Sequence, residues 1–175
     1  MGCGFIEVPA VSARLWALWG EAGLRRIEWA AEEDGADSAL GAGAGDPESI
    51  PEPYGDALAA YLAGEPIDLT SLPLDLRGTE FQLKVWRALL TIPRGNVRTY
   101  ASVANDIGSP RGMRAVGAAN GANPIPVVVP CHRVVEAGMR LGGYSGGLHI
   151  KRHLLELEGV KLVGDEVHAG QLSLI

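Results

Sequence analysis

The segment Pro130-Cys131-His132-Arg133-Val134 sets one of the chain's two cysteines directly before a histidine. The thiolate is the nucleophilic form of cysteine, and a neighbouring imidazole or cation can draw its pKa from about 8.5 into or below the neutral range. Cys131 is therefore a candidate nucleophile. A buried free cysteine also serves as a small hydrophobe, so local sequence leaves both uses open. The apolar run at residues 125–129 reads as a buried strand that would deliver the thiol at its end. Further on, Gly142-Gly143-Tyr144-Ser145-Gly146-Gly147 reads as a flexible loop with two hydroxyl side chains, where glycine lets backbone approach a ligand closely. It lacks the glycine spacing of nucleotide-binding motifs, so phosphate cradling is not supported. His149 and His153 stand at i, i+4, but no acidic residue completes a known metal motif, and a surface or packing role is expected.

The elements that would position these residues are punctuated by glycine and proline. Apolar stretches at residues 5–8, 14–19 and 24–30, separated by Gly20 and Gly23, predict a strand meander. Residues 31–53 are acidic and rich in Gly, Ala and Pro, which predicts a loop or linker. Residues 56–62 carry Leu58, Tyr61 and Leu62 at helical spacing before Gly64 and Pro66, and residues 67–76 read as an extended connection. Thr79 followed by Gln82 is a capping-box pattern opening a helix with Phe81, Val85 and Leu89 on one stripe, joined by Trp86 and Leu90. Thr99 suits the cap of a second helix, residues 100–107, stopped by Gly108. Ser109-Pro110 supplies a cap residue and an N1 proline for a third, about two residues on, which makes the pair a helix-turn-helix candidate. On the third helix Arg111, Arg114, Ala115, Ala118 and Ala122 share one side, and Met113, Val116 and Asn120 fall toward another. A face of small residues suits close approach to the narrow minor groove, with Arg114 able to enter the base stack; tight helix packing is the plainer use of such a face. A final helix over residues 149–158 packs through Ile150, Leu154, Leu155 and Leu157 and ends at Gly159.

With 175 residues and 47% hydrophobic content, the chain has enough material for a substantial core. No apolar run approaches the ~20 residues that span a bilayer, and the N-terminus lacks a signal-peptide pattern, so a cytoplasmic protein with free thiols and no membrane partner is expected. Cys3 is expected to have no role. The net charge of −6 hides an asymmetry: residues 1–77 hold 4 basic against 14 acidic side chains, and residues 78–175 hold 11 against 7. A basic second half suggests a nucleic-acid partner, although a solvated mixed-charge surface also accommodates a surplus of this size.

Taken in order, Gly78-Thr79-Glu80-Phe81-Gln82, Ile92-Pro93-x-Gly95, Arg114-Ala115-Val116-Gly117, Asn123-Pro124, the Pro-Cys-His-Arg-Val segment, Tyr144-Ser145-Gly146-Gly147-Leu148 and Leu154-Leu155-x-x-Glu158-Gly159 resemble the O6-alkylguanine-DNA alkyltransferases. The likeness runs from about residue 72 to 162, and the first half matches only loosely. It implies an α/β (α+β) protein of two domains. These are a small N-terminal β-meander plus helix of ribonuclease H-like form, residues 1–71, and a mostly helical DNA-binding and alkyltransferase domain, residues 72–162, followed by a tail, 163–175. It further implies suicide transfer of an alkyl group from O6-alkylguanine in duplex DNA, and from O4-alkylthymine, by a monomer without cofactor or metal; cooperative action on DNA stays open.

By the same resemblance Cys131 is the nucleophile, His132 its base through a bridging water, and Glu158 the carboxylate that orients the histidine. Asn123 organises the turn before the nucleophile, which also suits a local Asx turn. Tyr100 helps turn the nucleotide outward and lies where the departing guanine is protonated, while Arg114 fills the vacated stack. Arg111, Gly112, Met113, Ala115 and Gly117 belong to the DNA-binding surface. The pocket implied is formed by Pro126, Val134, Tyr144, Ser145 and Lys151, with backbone near Cys131 and Val134 reading the guanine edge and the Tyr100 and Ser145 hydroxyls supplying hydrogen bonds. Some relatives hold zinc in the N-terminal domain, but here that half offers only Cys3 and no histidine. Three other readings use part of the pattern: a non-catalytic damage sensor, a helix-turn-helix regulator and a cysteine hydrolase. The first is opposed by Cys131, the second leaves Cys131 and His132 idle, and the third leaves the Arg114 helix idle.

Overall fold

Glycines at 20 and 23 punctuate an apolar stretch that pairs into an antiparallel meander of β1 (Gly2–Val8), β2 (Ala13–Gly20) and β3 (Gly23–Ala31), in the order β1-β2-β3. The computed structural model describes residues 1–168. Leu15, Trp16 and Ala17 are consecutive and all buried, so the central strand is covered on both faces. One of those covers is unforeseen. Within the acidic 31–53 stretch lies a short helix, α1 (Ala36–Leu40), whose Ala36, Ala39 and Leu40 pack with Trp16 and Cys3. Asp37 then accepts hydrogen bonds from the backbone of Gly43 and Ala44, tying down the glycine-rich return. α2 (Tyr54–Leu62) starts two residues before the expected helix, with Tyr54, Leu58 and Tyr61 buried. The connection expected to be extended contains a 3₁₀ turn, Leu69–Ser71, capped by Asp68.

These elements form one compact unit of the mixed α/β chain, Met1–Arg77 together with Pro124–Pro126, whose Pro124 carbonyl accepts from Ile27 N–H at 2.9 Å. The remainder of the chain is the second unit, so the division falls at Arg77–Gly78 rather than before Leu72.

The second unit opens on α3 (Glu80–Leu89), where both halves of the capping box form: Thr79 Oγ1 accepts from Gln82 N–H, and the Gln82 side chain accepts from Thr79 N–H. Gly78 has no freedom to change, because a Cβ there would sit 2.6 Å from the Trp86 ring. Trp86 is buried and donates through Nε1 to the Ala119 carbonyl at 2.8 Å, which locks α3 to α5 (Met113–Gly121). α4 (Tyr100–Asp106) is capped by Thr99 as expected. The third helix starts later than Ser109-Pro110 suggests. Gly112 N–H closes a turn onto Ser109 O at 2.7 Å, so residues 107–112 separate α4 from α5, a longer link than a tight helix-turn-helix.

The largest departure is at residues 125–129, which are turns rather than a strand. Ile125, Val127, Val128 and Val129 are buried as their apolar character demands, but Pro124, Pro126 and Pro130 remove the N–H groups a strand ladder would use. Val127 takes a φ of 76°, a costly conformation for a β-branched residue. The strand comes afterwards, as β5 (Val134–Val135) pairing in parallel with β4 (Arg98–Thr99). α6 (Leu148–Leu157) follows, and β6 (Lys161–Val163) and β7 (Glu166–His168) form a hairpin where the tail was expected to begin; the rest of that tail lies outside the described residues. Replacing Thr79 by Ala removes a cap worth about 1 kcal/mol. Urea unfolding monitored by circular dichroism is expected to show that loss with an unchanged m-value.

Candidate active site

Cys131 begins a 3₁₀ turn, Cys131–Arg133, directly after the buried proline-rich segment. This placement buries both the Cys131 thiol and the His132 imidazole in a turn rather than along a strand. His132 is fully buried, and its Nε2 lies 3.1 Å from Glu158 Oε1. Glu158 closes the C-terminus of α6, where the chain turns at Gly159.

Arg133, for which the sequence suggested no task, also belongs to this cluster. Its Nε donates to both Glu158 oxygens at 3.2 and 2.9 Å, Nη2 donates to Oε1 at 2.7 Å, and Nη1 donates to the Ile92 carbonyl at 2.5 Å. Gly95, in the left-handed region at φ 75°, brings its N–H to 3.4 Å from Glu158 Oε2. No local signal betrays Arg133: its partner is 25 residues away, and only folding brings α6 back to the turn.

The protonation states follow from this packing. Burial by itself would raise the Glu158 pKa, but His132 and then Arg133 outweigh it and hold the carboxyl well below its usual range. Burial lowers the His132 pKa, against the pull of Glu158, so the resting imidazole is neutral. Cys131 departs from the sequence expectation. Burial pushes its thiol up to about 11, although the Asn123 side chain, the Lys151 charge and the N–H groups of Cys131 and His132 all favour the thiolate. The resting nucleophile is a protected thiol.

Asn123 spans this region, donating to Val129 O at 2.8 Å as well as to the thiol. Lys151 is fully buried and its ammonium donates to the carbonyls of Val134 at 2.7 Å, Leu141, and Gly143 at 3.2 Å. It braces the glycine loop from behind, and its pKa falls to about 8 through burial.

A pocket of about 260 Å³ opens onto Cys131, lined also by Tyr100, Gly117, Asn120, Gly121, Gly143, Tyr144 and Ser145. Of the expected pocket residues, Tyr144 and Ser145 are on its wall. Val134 and Lys151 stand outside that lining, with the Val134 carbonyl engaged by Lys151, and Pro126 groups with the first unit. Asn120, which the sequence places on the side of the third helix away from Arg114, and Gly121 are wall residues as well. On the outer side of α5, Arg111, Met113, Arg114, Ala115 and Ala118 are exposed, with Gly112 at the helix start. Burial of Val116, Ala119 and Asn120 on the other side leaves that small-residue face uncovered within its own unit.

The site thus brings together a buried thiol on the wall of a small pocket, a buried histidine held by a carboxylate, and an exposed helix face of small residues and arginines. Residues 80–160 match the family described as 6-O-methylguanine DNA methyltransferase, DNA binding domain. The methylated-DNA–protein-cysteine methyltransferase of Mycobacterium tuberculosis strain H37Rv is 54% identical over 110 residues, 63% of this chain and 66% of that protein, just under two thirds of its length. That of Methanosarcina acetivorans is 53% identical over 102 residues, 58% of this chain and 65% of that protein. Among solved structures, M. tuberculosis OGT in complex with DNA aligns with a TM-score of 0.78 at 40% identity, covering 91% of this chain and 93% of that one. The chain belongs to the O6-methylguanine-DNA methyltransferase family.

Two measurements check the site. Carboxamidomethylation of Cys131 by iodoacetamide, followed on its peptide, is expected to accelerate about tenfold per pH unit above pH 7 and level off near 11, because only the thiolate reacts; a plateau already at neutral pH would contradict the protected thiol. Lys151→Met keeps the stem but strips three carbonyls of their donor, and is expected to lower stability by about 3 kcal/mol in urea unfolding.

Proposed function

We propose that this protein repairs DNA by irreversible transfer of an alkyl group from O6-alkylguanine, and from O4-alkylthymine, in duplex DNA to Cys131. The observation that carries the reading is the Cys131 thiol lining a pocket of one-base size, followed in the chain by a buried histidine held on Glu158. An O6 substituent inside the base stack is out of reach of such a thiol, so the nucleotide is flipped into the pocket, at a cost of a few kcal/mol. Arg114 on the exposed face of α5 fills the vacated stack from the minor groove. Small Ala115 and Gly117 let the helix backbone approach, and Arg111, Gly112 and Met113 meet the neighbouring strand. Phosphate contacts dominate affinity, so binding is salt-sensitive and nearly indifferent to sequence.

In the transfer, the Cys131 proton passes to His132 through a bridging water while Glu158, held as an anion by Arg133, stabilises the imidazolium. The sulfur–carbon bond forms as the carbon–O6 bond breaks, and the electron pair leaves with guanine. Tyr100 supplies a proton to the departing base and regains one from the pool that His132 holds, so the thiol proton ends on guanine. Asn123 aligns the thiol, Tyr144 and Ser145 form the pocket wall, and Lys151 braces the glycine loop through the Gly143 carbonyl. The product is a thioether, which nothing in the site hydrolyses, so each molecule acts once without cofactor or metal.

The finer architecture fits the same reading: the first unit, with its meander and helices, is a ribonuclease H-like N-terminal domain, and the second unit, from Gly78 on, is the DNA-binding and transferase domain. No helix among the described residues is long and apolar enough to cross a membrane. We propose a cytoplasmic monomer as its setting.

Mass spectrometry after mixing with a duplex carrying one O6-methylguanine is expected to show one added methylene on the Cys131 peptide, one event per molecule, and none in Cys131→Ala. Arg114→Ala is expected to slow transfer at least tenfold while leaving iodoacetamide reactivity of Cys131 intact. Tight lesion binding without mass gain would instead identify a damage sensor, and repeated product release a hydrolase.

A further inference from the structure

Leu141 stands immediately before the loop at residues 142–147, whose Gly143, Tyr144 and Ser145 wall the pocket. Its peptide groups are gripped from two sides. The carbonyl accepts from the buried Lys151 ammonium of α6, and the N–H donates to the Asp165 carbonyl at 2.9 Å, in the turn of the β6–β7 hairpin. Arg152, next to Lys151 on α6, pairs with Asp165 Oδ1 at 2.9 Å, so neighbouring residues of one helix hold Leu141, one directly and one through the hairpin. Val167 N–H also donates to the Met139 carbonyl at 2.8 Å, and Arg140 bridges Glu166. Side chains repeat the connection, because Leu141 and Val167 share a buried apolar cluster with Val135 and Leu155.

The loop beyond Leu141 contains four glycines and no helix or strand, so its shape depends on how its ends are fixed. Gly147 is fixed as the N-cap residue of α6. Leu141 is the other end. A two-stranded hairpin with strands of three residues is marginal by itself, and this one is held by what it docks against.

We propose that the β6–β7 hairpin is a positioning element for alkyl transfer, an inference that rests on the alkyl-transfer reading. Through Asp165 and Val167 it fixes Leu141, and through Leu141 it fixes the loop whose Tyr144 and Ser145 hold the flipped base against Cys131. Without the hairpin, Leu141 N–H loses its acceptor and the wall is complete only part of the time, which lowers the rate of transfer by that fraction. Thiol and DNA face do not share this dependence. The Cys131–Arg133 turn is held by its own backbone bonds and by Arg133 on Glu158, and α5 is locked to α3 through Trp86.

The test acts on the hairpin turn alone. Gly164 lies there at φ 57°, and a Cβ on it meets nothing within 4 Å, so a side chain fits and only the backbone angle matters. Proline, locked near φ of about −65°, forbids that turn, whereas asparagine enters the left-handed region readily. Gly164→Pro is expected to lower the limiting single-turnover rate on duplex O6-methylguanine at least tenfold. The half-saturating duplex concentration is expected to stay within threefold of wild type, and Cys131 to keep at least a third of its iodoacetamide reactivity. Hydrogen exchange over peptides covering residues 139–147 is expected to quicken in the same variant. Gly164→Asn is expected to match wild type within twofold throughout. Val167→Ala keeps the turn but loosens the hairpin from the cluster, and is expected to slow transfer at least threefold on the same terms; it decides alone if thermal melts show Gly164→Pro unfolded. Quicker exchange with unaltered transfer would show that the loop works without its brace and overturn the proposal. So would unaltered exchange, or losses of duplex affinity and thiol reactivity in proportion to transfer, which would make the hairpin a support for the whole unit. Failure of wild-type protein to gain any methylene would instead defeat the alkyl-transfer reading beneath it.

Discussion

The site depends on a single buried carboxylate. Glu158 accepts from His132 and Arg133 together, and the guanidinium, which stays charged at any accessible pH, fixes it as an anion. Two opposing consequences follow for His132. The carboxylate favours its protonated form, yet the nearby arginine and the loss of water disfavour it, and burial prevails in the resting protein. The imidazole is thus a neutral base with a preorganised counter-ion, able to take a proton when one is released beside it. Removing Glu158 would leave the Arg133 charge buried without its partner, which is why the pair is structural and chemical at once. The stability that this carboxylate contributes is present above the ordinary carboxylate pKa of about 4.3, and it is lost only as pH falls through the depressed folded value.

Arg133 extends this cluster to the Ile92 carbonyl, and Gly95 N–H approaches the same carboxylate, so the turn after α3, the nucleophile turn and the end of α6 meet at one point. Lys151 does comparable work nearer the glycine loop, gathering three carbonyls that an irregular backbone would otherwise bury unmatched. Two buried cations thus satisfy carbonyls around the nucleophile turn, while the proline-rich segment before Cys131 is served at Val129 by the Asn123 side chain and the Cys131 N–H and at Pro130 by the Arg133 N–H. The irregular backbone is what allows a thiol, a histidine and an arginine at consecutive positions to face different partners.

Local signals in the sequence were read well where the physics is local. Thr79 with Gln82, Thr99, Gly108 and Gly159 mark helix ends that form where they were expected, and the arginine and alanine side of α5 is the exposed one. Failures arose where local cues competed. The apolar character of residues 125–129 predicted burial correctly, but three prolines denied them a ladder, and the outcome is a buried turn with Val127 at positive φ. Ser109-Pro110 looked like a helix start, yet the Ser109–Gly112 turn forms first. Charge counting also overstates the basic surface of the second half, because Arg133 and Lys151 are internal and Arg98 and Arg152 are paired with Asp106 and Asp165. Arg133 and Asn120 were invisible as site residues because their partners lie on other elements.

A resting thiol held near pKa 11 is a poor nucleophile for a catalyst that must turn over, but a sound one for a reagent used once. At pH 7 its thiolate fraction is on the order of 10⁻⁴, which spares it from adventitious electrophiles and oxidants that attack thiolates. Reactivity then has to come from the bound base, which excludes water, aligns the alkyl carbon with sulfur and gives the departing electron pair a proton. In the proposed transfer two side chains wait for the pocket to be filled, His132 neutral and Tyr100 protonated. On that proposal, selectivity for the lesion is built into the chemistry, because a ligand that cannot accept the tyrosine proton as its bond breaks gains little from reaching the thiol.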